Sequence, residues 1–213
     1  MYNITGDSMK VNRPKIRYLE ENKLTSHFSE DLVNSLIEES EEKVILDDVK
    51  IDEVKFNKID FSNCEIINTS FVDVIFSNCD LSNLKLENMS FTRVSFEQCK
   101  LLGTSFNKSN LKDVSFRNCL LNFSNLSELE SKNLFFKECS IKESTIINSK
   151  FVNVSFENSD LSFSTITSSL LEDVDLSSDI IEGIRIDFKS LKGVIINDTQ
   201  ALSLINLLGV RVK

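Results

Sequence analysis

A period of five residues constrains this chain more than any other feature. Counting by fives from Leu46 gives Ile51, Phe56, Phe61, Ile66, Phe71 and Phe76, and continues to Leu126. After one polar interruption, Ser131, the series resumes at Phe136 and runs to Ile196 without a slip in register. A second column, two residues earlier, holds smaller side chains: Val, Ile, Cys, Thr, Ser, Met and Leu. All five cysteines (Cys64, Cys79, Cys99, Cys119 and Cys139) fall in it. Five matches neither the helical period of 3.6 nor the strand period of two. It suits a short extended piece, whose two inward residues flank one outward residue, followed by a corner. The chain has only 5 Gly and 1 Pro, so ordinary residues must make those corners.

A longer recurrence says how many corners close a turn. "VSF" occurs at 94–96 and again at 114–116, and Cys99 returns as Cys119. In steps of twenty, one column reads Phe56, Phe76, Phe96, Phe116, Phe136, Phe156, while the next holds Leu81, Leu101, Leu121. Each column keeps its own chemistry, so four fives make one coil and like stacks on like, as in a solenoid. The expected fold is an all-β, four-sided solenoid of about eight coils. At one strand spacing per coil, the rod is roughly 35–40 Å long. Ser131, Asp179 and Lys189 stand at inward positions and predict local distortion near 129–135 and in the last coil.

The expected organisation is an N-terminal extension and capping helix (1–43), the repeat (44–196), and a C-terminal capping and dimerisation segment (197–213). A solenoid needs covered ends. Ser29 followed by Glu30 and Asp31 reads as a helix N-cap, and Phe28, Leu32, Leu36 and Ile37 share one face. These predict a helix over 30–40, with residues 1–12 mobile. Asn197 and Gln200 resemble a capping box opening a helix over 198–208, which Gly209 stops. That helix is apolar over more of its surface than one packed face needs. Leu202, Leu204, Ile205, Leu207 and Leu208 are therefore expected to bury against a second copy, making a tail-to-tail homodimer, with "VRVK" (210–213) as a short strand.

Charge and motif content exclude several functions. The 213 residues carry a net charge of −9 and a pI near 4.8. Phosphate contacts need Lys and Arg, so direct nucleic-acid binding is not expected; a basic partner surface fits better. There is no apolar run of about 18 residues to span a membrane and no signal-peptide core, which points to a reducing cytoplasm. The cysteine column reads as packing by a small hydrophobe, and His27 as an ordinary residue. No catalytic, cofactor or metal motif is present; the expectation is a protein that is not an enzyme and has no cofactor.

The unit (small)(polar)(Leu/Phe)XX from about 44 to 196 resembles the pentapeptide-repeat family. The resemblance implies a right-handed quadrilateral β-helix. The tail 184–213, through Leu191, Gly193, Val194, Gln200, Ala201, Leu204, Leu208 and Gly209, resembles the C-terminal cap of bacterial members that include the Qnr-type quinolone-resistance proteins. That implies a rod which imitates DNA and binds gyrase and topoisomerase IV, with protection from quinolones. The chain departs from the Qnr pattern in its first 43 residues, which include "NRPKI", and in lacking the loop insertions.

Outward carboxylates are in excess on two adjacent sides. The candidate acidic face comprises Asp60, Glu65, Asp80, Glu87, Glu128, Glu143, Asp160, Glu182 and Asp187. Leu102, Leu120, Phe123 and Phe163 are outward residues on or near one side and support the alternative, a non-catalytic interaction scaffold that binds an unrelated partner through apolar contact.

Overall fold

The computed structural model describes residues 11–25, 27–28 and 30–205. Its main feature is a wall of eight parallel strands: β1 (Glu20–Leu24), β2 (Leu32–Ser40), β3 (Lys50–Asn57), β4 (Ser70–Ser77), β5 (Ser90–Glu97), β6 (Asn110–Arg117), β7 (Glu130–Lys137) and β8 (Lys150–Glu157). Each pairs with the next in chain order. From β3 onward the pairing step is twenty residues: Val54, Val74, Val94, Val114, Leu134 and Val154 are successive neighbours, and so are the six phenylalanines from Phe56 to Phe156. Other walls are shorter. One of them carries His27–Phe28, Ile45–Asp47 and Glu65–Ile67 at its N-terminal end and Thr145–Ile147, Thr165–Thr167 and Arg185–Ile186 at its C-terminal end, with isolated bridges through Lys85, Ser105 and Asn125 in the same column between them. The protein is thus a β-solenoid of about eight coils.

Left-handed backbone supplies the corners. Among the described residues, twenty-five non-glycine positions have positive φ, between 48° and 64°, most of them spaced five apart; Gly103, Gly183 and Gly193 add three more. Asn is the commonest occupant and no β-branched residue appears among them. This is the expected sorting, because Asn tolerates the αL region and a branched Cβ does not. The strain recurs at each corner and is offset by the core that the corner closes.

That core is a set of vertical ladders. The rings from Phe56 to Phe156 stack at 4.7–5.0 Å, with interplanar angles of 4–16°, and Phe106 meets Phe96 and Phe116 edge-on. The small columns are polar ladders that satisfy themselves. Thr104, Ser109, Ser144, Ser149 and Ser164 each donate a hydroxyl to a carbonyl 23 residues back, at 2.6–2.9 Å. Amides of the preceding coil donate to such hydroxyls in turn, as Met89 N–H does to Ser109 and Leu129 N–H to Ser149. A buried hydroxyl with both roles filled costs little.

The N-terminal helix is corrected. Residues 32–40 form β2, which pairs with β3 through Leu32–Ile51 and Ile37–Phe56. These offsets are nineteen residues, not twenty. Counting back from Leu46 lands on the exposed Glu41, whereas Leu32 and Ile37 are the buried pair. One missing residue hid a further coil, whose inward spacing then passed for a helical face. Ser29 lies outside the described residues.

Expected distortion at 129–135 is also absent. β7 pairs in register with β6 and β8, and Leu129, Ser131 and Leu134 are all buried. Backbone ladder bonds hold the coil whatever the side chain at 131.

At the C-terminus, α1 (Phe188–Leu191) begins on its cap Asp187 and α2 (Asp198–Ile205) on Asn197. The short α1 turn lifts Lys189 outward and places Ser190 under Ser169. The expected box is present: Asn197 N–H donates to Gln200 Oε1 (2.8 Å) and Gln200 N–H to Asn197 Oδ1 (3.0 Å). Gln200 Nε2 then donates to the carbonyls of Leu176 and Asp179 at 2.7 and 2.8 Å, filling acceptors of the last coil. Leu207, Leu208, Gly209 and residues 210–213 lie outside the described residues.

Residues 11–19 are not in the solenoid but run along it. Asn12 N–H donates to Asp113 Oδ1 at 3.3 Å and Lys15 N–H to Asp73 Oδ1 at 2.7 Å. Residues 11 and 12, expected to be mobile, are therefore docked; residues 1–10 lie outside the described residues.

Candidate interaction surface

Inward chemistry is spent on packing, which leaves the outer walls as the surface available for recognition. The thiols of Cys79, Cys99, Cys119 and Cys139 are free, buried, and each directed at a carbonyl 23 residues back, at 3.4–3.6 Å. Hydrogen bonding to neighbouring thiols, then burial, push Cys79 and Cys119 up, while the same thiol–thiol hydrogen bonds draw Cys99 and Cys139 down, so the four titrate together as one row. Among the described residues, no three His, Cys, Asp or Glu side chains group as metal ligands, and no helix is long and apolar enough to cross a membrane.

The nine carboxylates of the candidate acidic face do not form one continuous stripe. Asp60, Asp80 and Asp160 share a column, but Lys100, Leu120, Ser140 and Ile180 share it too. Four of the nine are ion-paired: Asp160 with Lys142 (2.8 Å), Glu65 with Lys43 (3.3 Å), Asp80 with Lys100 (3.5 Å) and Glu128 with Lys108 (4.0 Å). Burial pushes the Asp160 carboxyl up, but Lys142 and Ser162 outweigh it and hold the group below the ordinary carboxylate range. Glu87 accepts from the Ser105 hydroxyl at 2.6 Å, Asp60 from Ser62 N–H, and Asp187 from Ser168 and Ser190 N–H. Among the described residues, Glu143 and Glu182 form no ion pair within 4.0 Å. Pairing of this kind adds little stability, but it cancels field at the wall.

An apolar patch shares the same side. Leu120 (43% exposed) and Ile180 (54%) lie in the column of Asp60, with Phe123 (60%) and Phe163 (55%) at the adjoining corner; Leu102 is half-buried. The Phe163 ring lies over Gly183, where an added Cβ would collide with a ring carbon. Glycine there lets the ring lie flat along the corner. Sequence reading missed Ile180, which is visible only when the Leu120 column is followed three coils on.

On α2 the expected dimer residues divide. Leu204 is buried in the core of its own chain, Ile205 is half-buried, and Leu202 is 54% exposed; Leu207 and Leu208 are not described. Sequence reading also passed over the corner column Glu53, Asp73, Arg93, Asp113, Asn133, Asn153, on which the N-terminal segment lies. The sign reversal Asp73, Arg93, Asp113 at steps of twenty was the available signal.

Comparison with known proteins agrees with this architecture. Residues 69–146 match the family described as pentapeptide repeat region, and residues 45–83 the family of pentapeptide repeats in eight copies. No curated protein sequence matches this one. Among solved structures, a trypsin-treated variant of QnrB1, described as a plasmid-mediated fluoroquinolone resistance protein, is 19% identical. It covers 91% of this chain and 100% of its own, at a TM-score of 0.45. HetL, described as involved in heterocyst differentiation regulation in the cyanobacterium Nostoc, is 14% identical, covering 87% of this chain and 92% of its own, at 0.40. The fold rests on the strand pairing above, not on these superpositions.

Proposed function

The chain belongs, over residues 45–146 at the least, to the pentapeptide-repeat proteins, and on that premise we propose that it is a non-catalytic rod whose partner is a type II DNA topoisomerase, gyrase or topoisomerase IV. The observation that carries this reading is a rod of constant four-sided section, repeating every 4.7–5.0 Å, on a chain of net charge −9. A repeating acidic cylinder is the shape and sign that a basic DNA-binding groove accepts. The rod takes the place of duplex DNA, makes no direct nucleic-acid contact, and works in the cytoplasm. Quinolone protection follows where the rod displaces the DNA on which the drug acts.

A supercoiling assay with and without ciprofloxacin, titrated with the protein, tests this. Inhibition at high concentration or relief of drug inhibition is expected; neither effect at any concentration removes the reading. The Glu87→Lys, Glu143→Lys, Glu182→Lys triple variant is expected to lose the effect.

The exposed patch of Leu120, Phe123, Phe163 and Ile180 favours a second reading, a scaffold that grips a protein partner by apolar contact. If Leu120→Ser with Phe163→Ser abolishes the topoisomerase effect while the triple charge variant retains it, the contact is apolar and DNA imitation is not the mechanism.

The rod is further proposed to dimerise tail to tail through α2. Leu204 already packs in its own chain, so Leu202→Asp is the cleaner probe. Light scattering is expected to give a dimer for the native chain and a monomer for the variant; a native monomer would end the dimer reading.

A further inference from the structure

The segment 11–17, "VNRPKIR", lies in a built site. It crosses the long wall against the direction in which the coils advance. Asn12 sits at Asp113 of β6 and Lys15 at Asp73 of β4. Those carboxylates are two coils apart, about 10 Å, and three extended residues reach about 10 Å. The segment is therefore stretched along the rod axis, at right angles to the strands.

Its floor is a polar ladder on the left-handed corner. Asp73 and Asp113 are only 5% and 4% exposed. Between them Arg93 makes a two-pronged bond to Asp73, Nε to Oδ1 at 2.7 Å and Nη2 to Oδ2 at 2.6 Å. Beyond them Asn133 Nδ2 donates to Asp113 Oδ1 at 2.8 Å, and Asn153 Nδ2 donates to Asn133 Oδ1 at 3.0 Å. Arg93 is oriented by Asp73 and Asn133 is oriented toward Asp113. Oδ1 of each carboxylate accepts one further bond, from a main-chain amide outside the solenoid. Pro14 and Ile16 are half-buried, while Arg13, Lys15 and Arg17 are exposed. Two buried carboxylates that accept backbone amides recognise an extended chain without regard to most of its side chains. The acidic corner adds a preference for cationic ones.

We propose that the corner column Asp73–Arg93–Asp113 is a recognition groove for an extended cationic peptide, with residues 11–17 as its built-in occupant. A partner segment of the same chemistry enters by displacing that arm. The groove's occupant contributes two amide bonds and a short apolar contact, so exchange is inexpensive compared with opening a coil.

The test uses the full chain. Asn12→Pro with Lys15→Pro removes both amide donors and leaves the solenoid untouched. A fluorescein-labelled peptide, VNRPKIRYL, is titrated against native and released proteins by anisotropy. The released protein is expected to bind at least tenfold more tightly than the native one. Asp73→Asn with Asp113→Asn in the released protein is expected to abolish binding. Should that variant misfold by circular dichroism, a peptide N-methylated at the positions of Asn12 and Lys15 probes the same bonds on intact protein and is expected not to bind. Equal binding to native and released chains, no binding to the released chain, or undiminished binding of the methylated peptide would each overturn the proposal.

Discussion

One column of the solenoid changes character along its length. In the middle coils it holds Cys79, Cys99, Cys119 and Cys139, each a weak donor that one carbonyl satisfies. Two coils beyond Cys139 the same slot holds Asp179. Its Oδ1 accepts from Ser159 N–H at 2.6 Å, while Oδ2 is buried with no partner. The backbone is nearly the same in both places; only the demand of the side chain differs. The Phe ladder likewise covers the middle coils and gives way to Leu176 and Ile196 at the end, where Ile196 is only half-buried. A repeat fold can keep its geometry while its stability falls toward one end, because each coil draws support only from its neighbours.

Core truncation is expected to expose that gradient most strongly. Phe116 is fully buried between Phe96 and Phe136. Phe116→Ala is expected to cost about 3–5 kcal/mol, while Leu176→Ala in the last coil falls at the low end of its range, about 2 kcal/mol. Urea unfolding of the two variants measures both. Equal losses would mean that the rod unfolds as one unit, with no weaker end.

Asp179 should be the next largest. Burial pushes its carboxyl up to about 7, whereas the unfolded chain keeps it near the ordinary value of about 4. Below pH 4 both states are protonated and the residue is neutral in its effect. As pH rises toward 7, the unfolded state gives up the proton first, so the native state loses stability through this window and stays lowered above it. Asp179→Ser, which restores the hydroxyl that Ser159 has in the same column, is expected to stabilise by about 2–4 kcal/mol at pH 8 and by almost nothing at pH 4. Melting curves at the two pH values decide it; a gain independent of pH would assign the effect to packing.

The same contrast explains what could be read from the chain. Five-residue periodicity specifies corners, columns and the twenty-residue coil because burial enforces them at every step. The Asn197–Gln200 box was legible because it is a local bond between two named side chains. The N-terminal coil was not, because one deleted residue moves every inward position and the surviving pair Leu32 and Ile37 then fits a helix as well as a strand. Outer walls were hardest to read. Counting charges cannot say that Lys142 reaches Asp160, or that Leu204 turns into its own core, since long-range neighbours settle both. Nor could composition place residues 11–17 across β4 and β6, because nothing local marks where an extended arm will lie.

Ser131 sharpens the comparison from the other side. It replaces a large apolar residue between Leu111 and Phe151, is buried, and its hydroxyl has no partner. Ser131→Leu removes an unsatisfied group and adds buried methylenes, and is expected to gain about 1–2 kcal/mol. Thermal unfolding checks the sign. A loss would mean that Leu129, Leu134 and Phe151 already fill the space, with overpacking as the cause.

The smallest effect is expected on the outermost atoms of the same strand pair. Lys150 and Glu130 meet at 2.9 Å, one coil apart, with Glu130 next to Ser131 in the chain, yet their side chains are 79% and 62% exposed. Water solvates both partners almost as well apart as together, so Lys150→Ala is expected to change stability by less than about 0.5 kcal/mol. What little effect there is should vanish in about 1 M salt, where the screening length is about 3 Å. Denaturation of native and variant chains at low and high salt tests it, and a loss above 1 kcal/mol that survives salt would sink the expectation. In that case the outer face would help hold adjacent coils together, and the rod's stability could no longer be assigned to its inner ladders alone.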